Sequence, residues 1–319
     1  MKLIDRYKGA MVGVHVGDSL GAPYEKKFSA REIVTNIKRR RGLRLFPYFN
    51  PWPKDGNEIM LPAGRPTDDS DQTANLADSL IRNQGLNTED LRLSLYDSVV
   101  NGVSLLWKGK ATGAGGTTKK ALSNNIRTRN KAFTNTIGTN GSLMRSTPMG
   151  LWFGPERAES LSTTSWKQKQ VKLMSEVTHM HPHSVQASWL YTKVLSRILS
   201  GKVSLDFQPE NELEIRILSR LRDESDFPYD PGDWPSRGTA EFSLYTALHA
   251  LSNTTSFEAG IEATIVVGGD TDTYAAIAGG LLGAKYGYDA IPSAWKRGIL
   301  GHDVMVRFAE DLYAMRLKK

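Results

Sequence analysis

Two rows of glycines constrain the fold of this chain more than any other feature of its sequence. Glycine or alanine recurs at every fourth position of each row, which is one face of an α-helix. The rows are Gly9, Gly13, Gly17 and Gly21, and Ala275, Gly279, Gly283 and Gly287. Glycine inside a helix costs about 0.5–1 kcal/mol relative to alanine, so each row needs a compensating gain. Close packing supplies it, because a helix face without side chains lets another backbone approach nearer than the usual distance of about 8–10 Å. The rows therefore predict tightly packed seams in the centre of a helix bundle. A membrane-embedded GxxxG dimer is the alternative, and it is disfavoured by the charges of Asp18 and Lys285 in the same segments.

The rest of the chain also carries apolar residues at helical spacing. Four stripes illustrate it: Leu91, Leu95, Val99, Val103 and Leu106; Val185, Trp189, Val194 and Ile198; Leu213, Ile217 and Leu221; Phe308, Leu312 and Met315. Thr88 is predicted to cap the helix of the first stripe. Patterns typical of strands are rare, and no flexible linker or fixed-period repeat divides the chain. We therefore predict an all-α fold in a single domain over residues 1–319. Three segments are rich in Pro or Gly, and we predict that they form long loops lining a site. They are 46–66, 108–118 and 227–238.

Composition excludes several classes of site. The chain has no cysteine, so disulfides, thiolate metal sites and iron–sulfur clusters are excluded, and a metal would need oxygen or imidazole ligands. The apolar stretches fall far short of the roughly 20 residues that a bilayer span requires. Residues 1–6 carry charges without an apolar signal region, so we expect a cytoplasmic protein with no membrane partner. The net charge of +7 favours anionic ligands.

Two acidic clusters mark the starts of predicted helices. The first contains Asp68, Asp69 and Asp71, and the second contains Asp270 and Asp272 after an apolar run. One aspartate suffices to cap a helix, whereas several adjacent carboxylates repel each other unless a cation lies between them. If the two clusters converge, their oxygen atoms suit a hard divalent cation. Magnesium is the expected metal, and two ions are expected from the number of carboxylates.

Five motifs, taken in order, resemble those of the ADP-ribosylglycohydrolase family over about residues 5–300. They are Gly17–Glu25, Thr67–Ser70, Asn140–Arg145, Thr178–His179 and Gly269–Thr273. The resemblance implies an all-α orthogonal helical bundle with long loops around a site that holds two Mg²⁺ ions. The fold class agrees with the one predicted from helical spacing.

The resemblance also implies residue roles. The metal ligands of the family match Thr67, Asp68, Asp69, Asp270, Asp272 and Thr273. Glu25 matches a glutamate that lies on a mobile loop beside the metals, and Glu25, Asp68 and Asp270 are the candidate catalytic carboxylates. Two positions depart from the family pattern, since Ser70 replaces the usual threonine and Thr139 replaces the usual glycine before Asn140.

The remaining motifs suit a nucleotide. The segment 112–118 contains Gly113 and Gly115 and resembles the family's diphosphate-binding loop, although composition alone predicts a flexible loop equally well and no Walker lysine follows. Asn140, Gly141 and His179 are implied as further contacts of ADP-ribose. A zinc site at His181 and His183 is disfavoured, and both are expected to be structural or solvated.

The leading hypothesis is Mg²⁺-dependent hydrolysis of the bond between C1″ of ADP-ribose and an acceptor, with an ADP-ribosylated protein or another ADP-ribosylated molecule as partner. Whether the acceptor is arginine, serine, a nucleic acid or a small molecule stays open. One alternative is a non-catalytic ADP-ribose or nucleotide binder on the same fold. The other is a Mg²⁺-dependent phosphoester hydrolase acting on nucleic acid, which is suggested by the basic run 38–41 and Arg44.

Overall fold

The computed structural model describes residues 1–25, 29–49, 59–125, 127–129, 137–156, 161–206, 208–222 and 238–317. Nearly all of its regular structure is helical, which confirms the all-α prediction. The helices are α1 (Leu3–Gly21), α2 (Ala30–Arg39), α3 (Asp68–Arg82), α4 (Thr88–Val99), α5 (Gly116–Leu122), α6 (Thr147–Phe153), α7 (Leu161–Glu176), α8 (Pro182–Leu199), α9 (Glu212–Arg222), α10 (Ala240–Asn253), α11 (Phe257–Ile265), α12 (Thr271–Tyr286), α13 (Ser293–Gly298) and α14 (His302–Leu317). One short antiparallel pair joins β1 (Tyr48–Phe49) and β2 (Met60–Leu61). Across these described parts of the chain, no helix combines the length and apolarity needed to span a bilayer.

The glycine rows form the seam between α1 and α12, as predicted, and the structure adds that the two rows face each other. The helices run antiparallel, with Gly9 against Gly283 and Gly13 against Gly279. A Cβ atom placed on Gly13 would lie 2.2 Å from the carbonyl oxygen of Gly279, and one on Gly279 would lie 2.1 Å from that of Gly13. Only glycine allows this approach, because each backbone occupies the space where a side chain would begin.

The α1–α12 pair is the centre of the bundle. Every residue from Gly9 to Gly21 of α1 and from Thr271 to Ala284 of α12 is buried. A helix that is apolar and buried on all sides belongs in the interior rather than at a surface. The helices that pack on this pair include α3, α10, α11 and α14.

The antiparallel arrangement decides where a site can form. It brings the end of α1 beside the start of α12, where the hydroxyl of Thr271 donates to the carbonyl oxygen of Gly21 at 2.9 Å. The start of α3 lies at the same place, because the backbone N–H of Thr67 donates to Asp18 on α1 at 2.9 Å. Two acidic helix starts therefore meet at one end of the central pair.

Some local predictions were wrong. The stripe beginning at Leu91 does not continue as one helix, because α4 ends at Val99 and the chain turns at Gly102, whose φ is +75°. The cap of α4 is Asn87 rather than Thr88, since its side chain accepts the backbone N–H groups of residues 89 and 90. Of the predicted loops, 46–66 contains the β1–β2 pair and 108–118 runs into α5, while 50–58 and 227–237 lie outside the described residues.

Candidate active site

Carboxylates from three helix ends and one turn converge into a single acidic cluster. Oxygen atoms of Asp18, Asp69 and Asp272 lie within 4.8 Å of one another, and so do those of Glu25, Asp270 and Asp272. Asp272 belongs to both groups and joins them. Residues separated by about 250 positions in the sequence are thus brought together by the α1–α12 seam.

Asp18 holds the start of α3 in place from a neighbouring helix. Its carboxylate accepts the backbone N–H groups of Thr67 at 2.9 Å and Ser70 at 3.2 Å. The hydroxyl of Thr67 lies 2.7 Å from Asp18 and 3.1 Å from Asp69, and the hydroxyl of Ser70 also donates to Asp18. These bonds satisfy N–H groups that a helix start leaves unpaired and orient the turn that carries Asp68 and Asp69.

Asp18 was not among the predicted site residues. The available signal was a charged side chain within a glycine-rich segment whose neighbours are all apolar or small. Such a residue, fully buried in α1, requires hydrogen-bond partners from elsewhere in the fold. The sequence shows Asp18, but it does not show which residues bond its carboxylate.

Ser70, the first departure from the family pattern, retains the one group that this position uses. Besides donating to Asp18, its hydroxyl lies 3.1 Å from Nδ1 of His15. Burial lowers the pKa of His15, whose Nε2 lies 2.6 Å from the carbonyl oxygen of Leu300. The serine hydroxyl thus connects a buried histidine to the carboxylate that caps α3.

The electrostatics of the cluster favour a cation. Burial, followed by the neighbouring carboxylates, raises the pKa of Asp68 to about 8 and raises the pKa values of Asp69 and Asp272 well above the usual range of aspartate. The Oδ1 atom of Asp69 is buried and has no hydrogen-bond partner among the residues that the structure describes. A set of oxygen donors with an unpartnered buried carboxylate oxygen fits a hard divalent ion, which would offset the repulsion.

The acidic cluster forms one side of a cleft with a volume of about 230 Å³. Every predicted site residue except Thr67 lines this cleft, and Thr67 lies beneath it as the cap of α3. The lining residues are Glu25, Asp68, Asp69, Gly113, Gly115, Gly116, Thr117, Thr118, Thr139, Asn140, Gly141, Met144, His179, Gly238, Asp270, Asp272 and Thr273. Segments predicted to bind a metal and segments predicted to bind a nucleotide therefore face one space.

Asn140 links the two sides of the cleft. Its side-chain NH₂ donates to Asp270 at 2.8 Å and to the hydroxyl of Ser243 at 3.0 Å. The preceding Thr139, the second departure from the family pattern, forms an antiparallel bridge with Thr239 and has no left-handed backbone conformation. A threonine is therefore accommodated at this position without strain.

Two glycines of the cleft are required by close approach. Gly113 has a φ of +112°, and a Cβ atom there would lie 2.6 Å from Oδ1 of Asp68. A Cβ atom on Gly141 would lie 2.6 Å from Cε1 of His179. By contrast, a Cβ atom on Gly115 would meet no other atom within 4 Å, so the backbone there borders open space.

The three histidines near residue 180 have different surroundings. Burial and, to a smaller extent, the Arg145 guanidinium lower the pKa of His179 to about 3. Its ring is therefore neutral where it lines the cleft. His181 caps α8 by accepting the N–H of residue 183, while His183 lies 3.5 Å from Glu241. The latter two histidines thus have local structural contacts, and neither lines the cleft.

Comparisons with known proteins agree on one family. The model of the ADP-ribosylglycohydrolase family matches residues 1–319. The chain is 26% identical to the ADP-ribosyl-[dinitrogen reductase] glycohydrolase of Rhodospirillum rubrum, over 91% of this chain and 89% of the relative. It is 26% identical to the ADP-ribosylarginine hydrolase Tri1 of Serratia proteamaculans, over 98% and 80% of the respective chains. A solved structure described as an ADP-ribosylglycohydrolase-related protein complex superposes with a TM-score of 0.70 at 26% identity, covering 98% of this chain and 99% of that one.

Proposed function

Because the chain belongs to the ADP-ribosylglycohydrolase family, we propose that it hydrolyses the bond between C1″ of ADP-ribose and an acceptor in a Mg²⁺-dependent reaction. The observation that carries this proposal is the shape of the cleft. A cluster of carboxylates that fits a divalent cation faces a wall of glycine, asparagine and neutral histidine across one cavity. Such a site can hold a ribose at the acidic side and a diphosphate-linked nucleoside along the other.

The residues that would hold the metal are those that the family resemblance implies. They are Thr67, Asp68, Asp69, Asp270, Asp272 and Thr273. When bound, Mg²⁺ supplies positive charge that polarises the ribose oxygens and the attacking water. Asp18 supports this set through its hydrogen bonds to Thr67 and Ser70.

Glu25 is the carboxylate best suited to act as the base. It follows the turn Ala22–Tyr24 at the edge of the cleft, and its carboxylate belongs to the group with Asp270 and Asp272. Asp68, the first residue of α3, and Asp270, the N-cap of α12, both belong to the proposed metal-ligand set, so their oxygen atoms would be committed to the cation. Glu25 is outside that ligand set, so its carboxylate stays available to accept a proton.

In the proposed reaction, Glu25 removes a proton from water while the oxygen of that water bonds to C1″. The bond from C1″ to the acceptor breaks, and its electron pair leaves with the acceptor, which takes up a proton. The carboxylates around the ribose stabilise positive charge that develops on the ring in the transition state. The products are ADP-ribose and the free acceptor.

The opposite wall binds the rest of the ligand. His179 is neutral and buried, so it offers hydrogen bonds without a charge. The backbone of Gly115 and Gly116 borders open space, which leaves room for a diphosphate beside backbone N–H groups. Asn140 bonds Asp270 and so fixes this wall of the cleft relative to the acidic side.

The test measures release of ADP-ribose from peptides carrying ADP-ribosylated arginine or serine, with Mg²⁺ or with EDTA. We expect release from at least one peptide with Mg²⁺ alone. Glu25→Gln should lower the rate by at least about 10²-fold, the usual contribution of a general base, while ADP-ribose affinity stays near that of the parent. Glu258→Gln, an exposed acidic change on α11, is the matched control.

Two results would overturn the proposal. ADP-ribose binding without hydrolysis of any ADP-ribosylated acceptor would identify a binding protein. Mg²⁺-dependent cleavage of DNA or RNA, with no release of ADP-ribose, would identify a phosphoester hydrolase. The structure gives the second result little support, because Arg40 of the basic run bonds Asn36 at 2.9 Å and stacks 3.6 Å from the centre of the Phe46 ring.

A further inference from the structure

A fully buried arginine, Arg145, lies between the two walls of the cleft and forms no ion pair with a carboxylate in the part of the chain that the structure describes. The described hydrogen-bond acceptors of Arg145 are all neutral, namely the side chains of Gln72 and Thr178 and the carbonyl oxygens of Gly141 and Met174. Burial lowers the pKa of Arg145 to about 9, so the guanidinium stays charged near neutral pH. Burying a charge is costly unless it is hydrogen-bonded, so the acceptors of Arg145 matter for its stability. Its two side-chain acceptors, Gln72 and Thr178, lead to opposite walls of the cleft.

The first contact determines how the Gln72 amide is oriented. Nη1 of Arg145 lies 2.9 Å from Oε1 of Gln72. A guanidinium can only donate hydrogen bonds, so the amide must turn its oxygen toward Arg145 and its NH₂ away. That NH₂ donates to Oδ2 of Asp68 at 2.8 Å. Arg145 therefore makes Gln72 a donor toward a carboxylate of the acidic cluster.

The second contact bears on which nitrogen of His179 carries the proton. Nη2 of Arg145 donates to the hydroxyl oxygen of Thr178 at 2.7 Å, which leaves the hydroxyl proton for another acceptor. Nδ1 of His179 lies within hydrogen-bond distance of that hydroxyl, at 2.8 Å. A neutral imidazole whose Nδ1 accepts must carry its own proton on Nε2. Nε2 lies on the side of the ring packed against Gly141, which also lines the cleft.

We propose that Arg145 is a positioning residue that sets the hydrogen-bond polarity of both walls of the cleft, turning the Gln72 amide toward Asp68 and fixing His179 as the Nε2–H tautomer. Its consequence for ligands rests on the proposed function. His179 then presents an N–H group to an acceptor atom of the bound nucleotide. Asp68 is held in one orientation toward the metal-binding cluster.

The first experiment measures the tautomer directly and requires no substrate. Long-range ¹H–¹⁵N NMR of the parent, with His179 assigned by comparison with His179→Gln, should show a protonated Nε2 and an unprotonated Nδ1. Thr178→Ser keeps the hydroxyl and should preserve this pattern, whereas Thr178→Val should shift the ¹⁵N resonances of His179. A protonated Nδ1 in the parent would overturn the proposal, as would unchanged His179 resonances in Thr178→Val.

The second experiment separates the two contacts by calorimetry. Gln72→Met should weaken Mg²⁺ binding about tenfold, because a hydrogen bond to a charged group is lost, and should leave ADP-ribose affinity measured in EDTA within about twofold. Thr178→Val should weaken ADP-ribose binding about fivefold and leave Mg²⁺ binding within about twofold. Thr192→Val is the matched control, because the described partner of this buried hydroxyl lies in its own helix, at the carbonyl oxygen of Trp189.

The outcomes distinguish a positioning role from a structural one. Equal losses of both affinities in both variants, together with a matching loss of thermal stability, would show that Arg145 only supports the fold and would overturn the proposal. If the parent binds neither Mg²⁺ nor ADP-ribose, the proposed function fails. The tautomer of His179 still tests the positioning role in that case, since it depends on Arg145 and Thr178 alone.

Discussion

Replacing one glycine of the central seam tests the packing that brings the site together. In Gly13→Ala, the new methyl group would lie 2.2 Å from the carbonyl oxygen of Gly279 and 2.9 Å from its carbonyl carbon, whereas ordinary contact begins near 3.4 Å. The clashing atoms belong to the backbone of α12, so no flexible side chain can move aside. The two central helices must separate to accept the substitution.

The magnitude follows from two opposing terms. Alanine is the better helix former by about 0.8–1.0 kcal/mol. Overpacking typically costs about 1–3 kcal/mol, and a rigid backbone partner at this distance places Gly13→Ala at the upper end of that range. We therefore expect the free energy of unfolding to fall by about 2 kcal/mol, because steric overlap exceeds the gain in helix propensity.

Urea unfolding of the metal-free protein measures this change. Gly85→Ala is the matched control, since its φ is not positive and its new methyl would meet only the Trp152 ring, at 3.5 Å. That variant should be neutral or more stable by up to about 1 kcal/mol. If Gly13→Ala retains the parent's unfolding midpoint and slope, the seam is not as tightly packed as these distances indicate.

Three further predictions concern the acidic cluster. Asp272→Asn should abolish hydrolysis and sharply weaken Mg²⁺ binding, because Asp272 is shared by both carboxylate groups; calorimetry that finds parental Mg²⁺ affinity would remove it from the metal site. Mg²⁺ should raise the melting temperature, by an amount equivalent to about 2.7 kcal/mol at 100 times the Kd, and EDTA should reverse the rise. The third prediction concerns pH. Because its pKa is raised to about 8, Asp68 is protonated in the folded metal-free protein at pH values where the same side chain is ionised in the unfolded protein. The free energy of unfolding should therefore fall as the pH rises toward 8. His179, whose pKa is lowered from 6.5 to about 3, opposes this trend only below about pH 6.5. Unfolding measured between pH 6.5 and 8 should therefore show the decline, and Asp68→Asn should make it shallower.

Several features of this protein were determined by local sequence alone. Helical spacing of apolar residues predicted the all-α class, because burial of one helix face requires that spacing. Glycines at every fourth position predicted a tight seam, since nothing else compensates for their cost in a helix. Acidic clusters at helix starts marked both halves of the candidate metal site. Each of these inferences depends on residues that are close together in the chain.

The tertiary structure decided which distant residues meet. The two glycine rows face each other, and this pairing places Asp18 and Asp272 in one cluster with Asp69. Asp18 caps α3 from another helix, and Arg145 orients Gln72 over a sequence separation of 73 residues. Hydrogen-bond polarity depends on which donor faces which acceptor in space, and no periodicity along the chain encodes that pairing. The helix class and the acidic residues could be predicted from the sequence, whereas the partners that orient them could not.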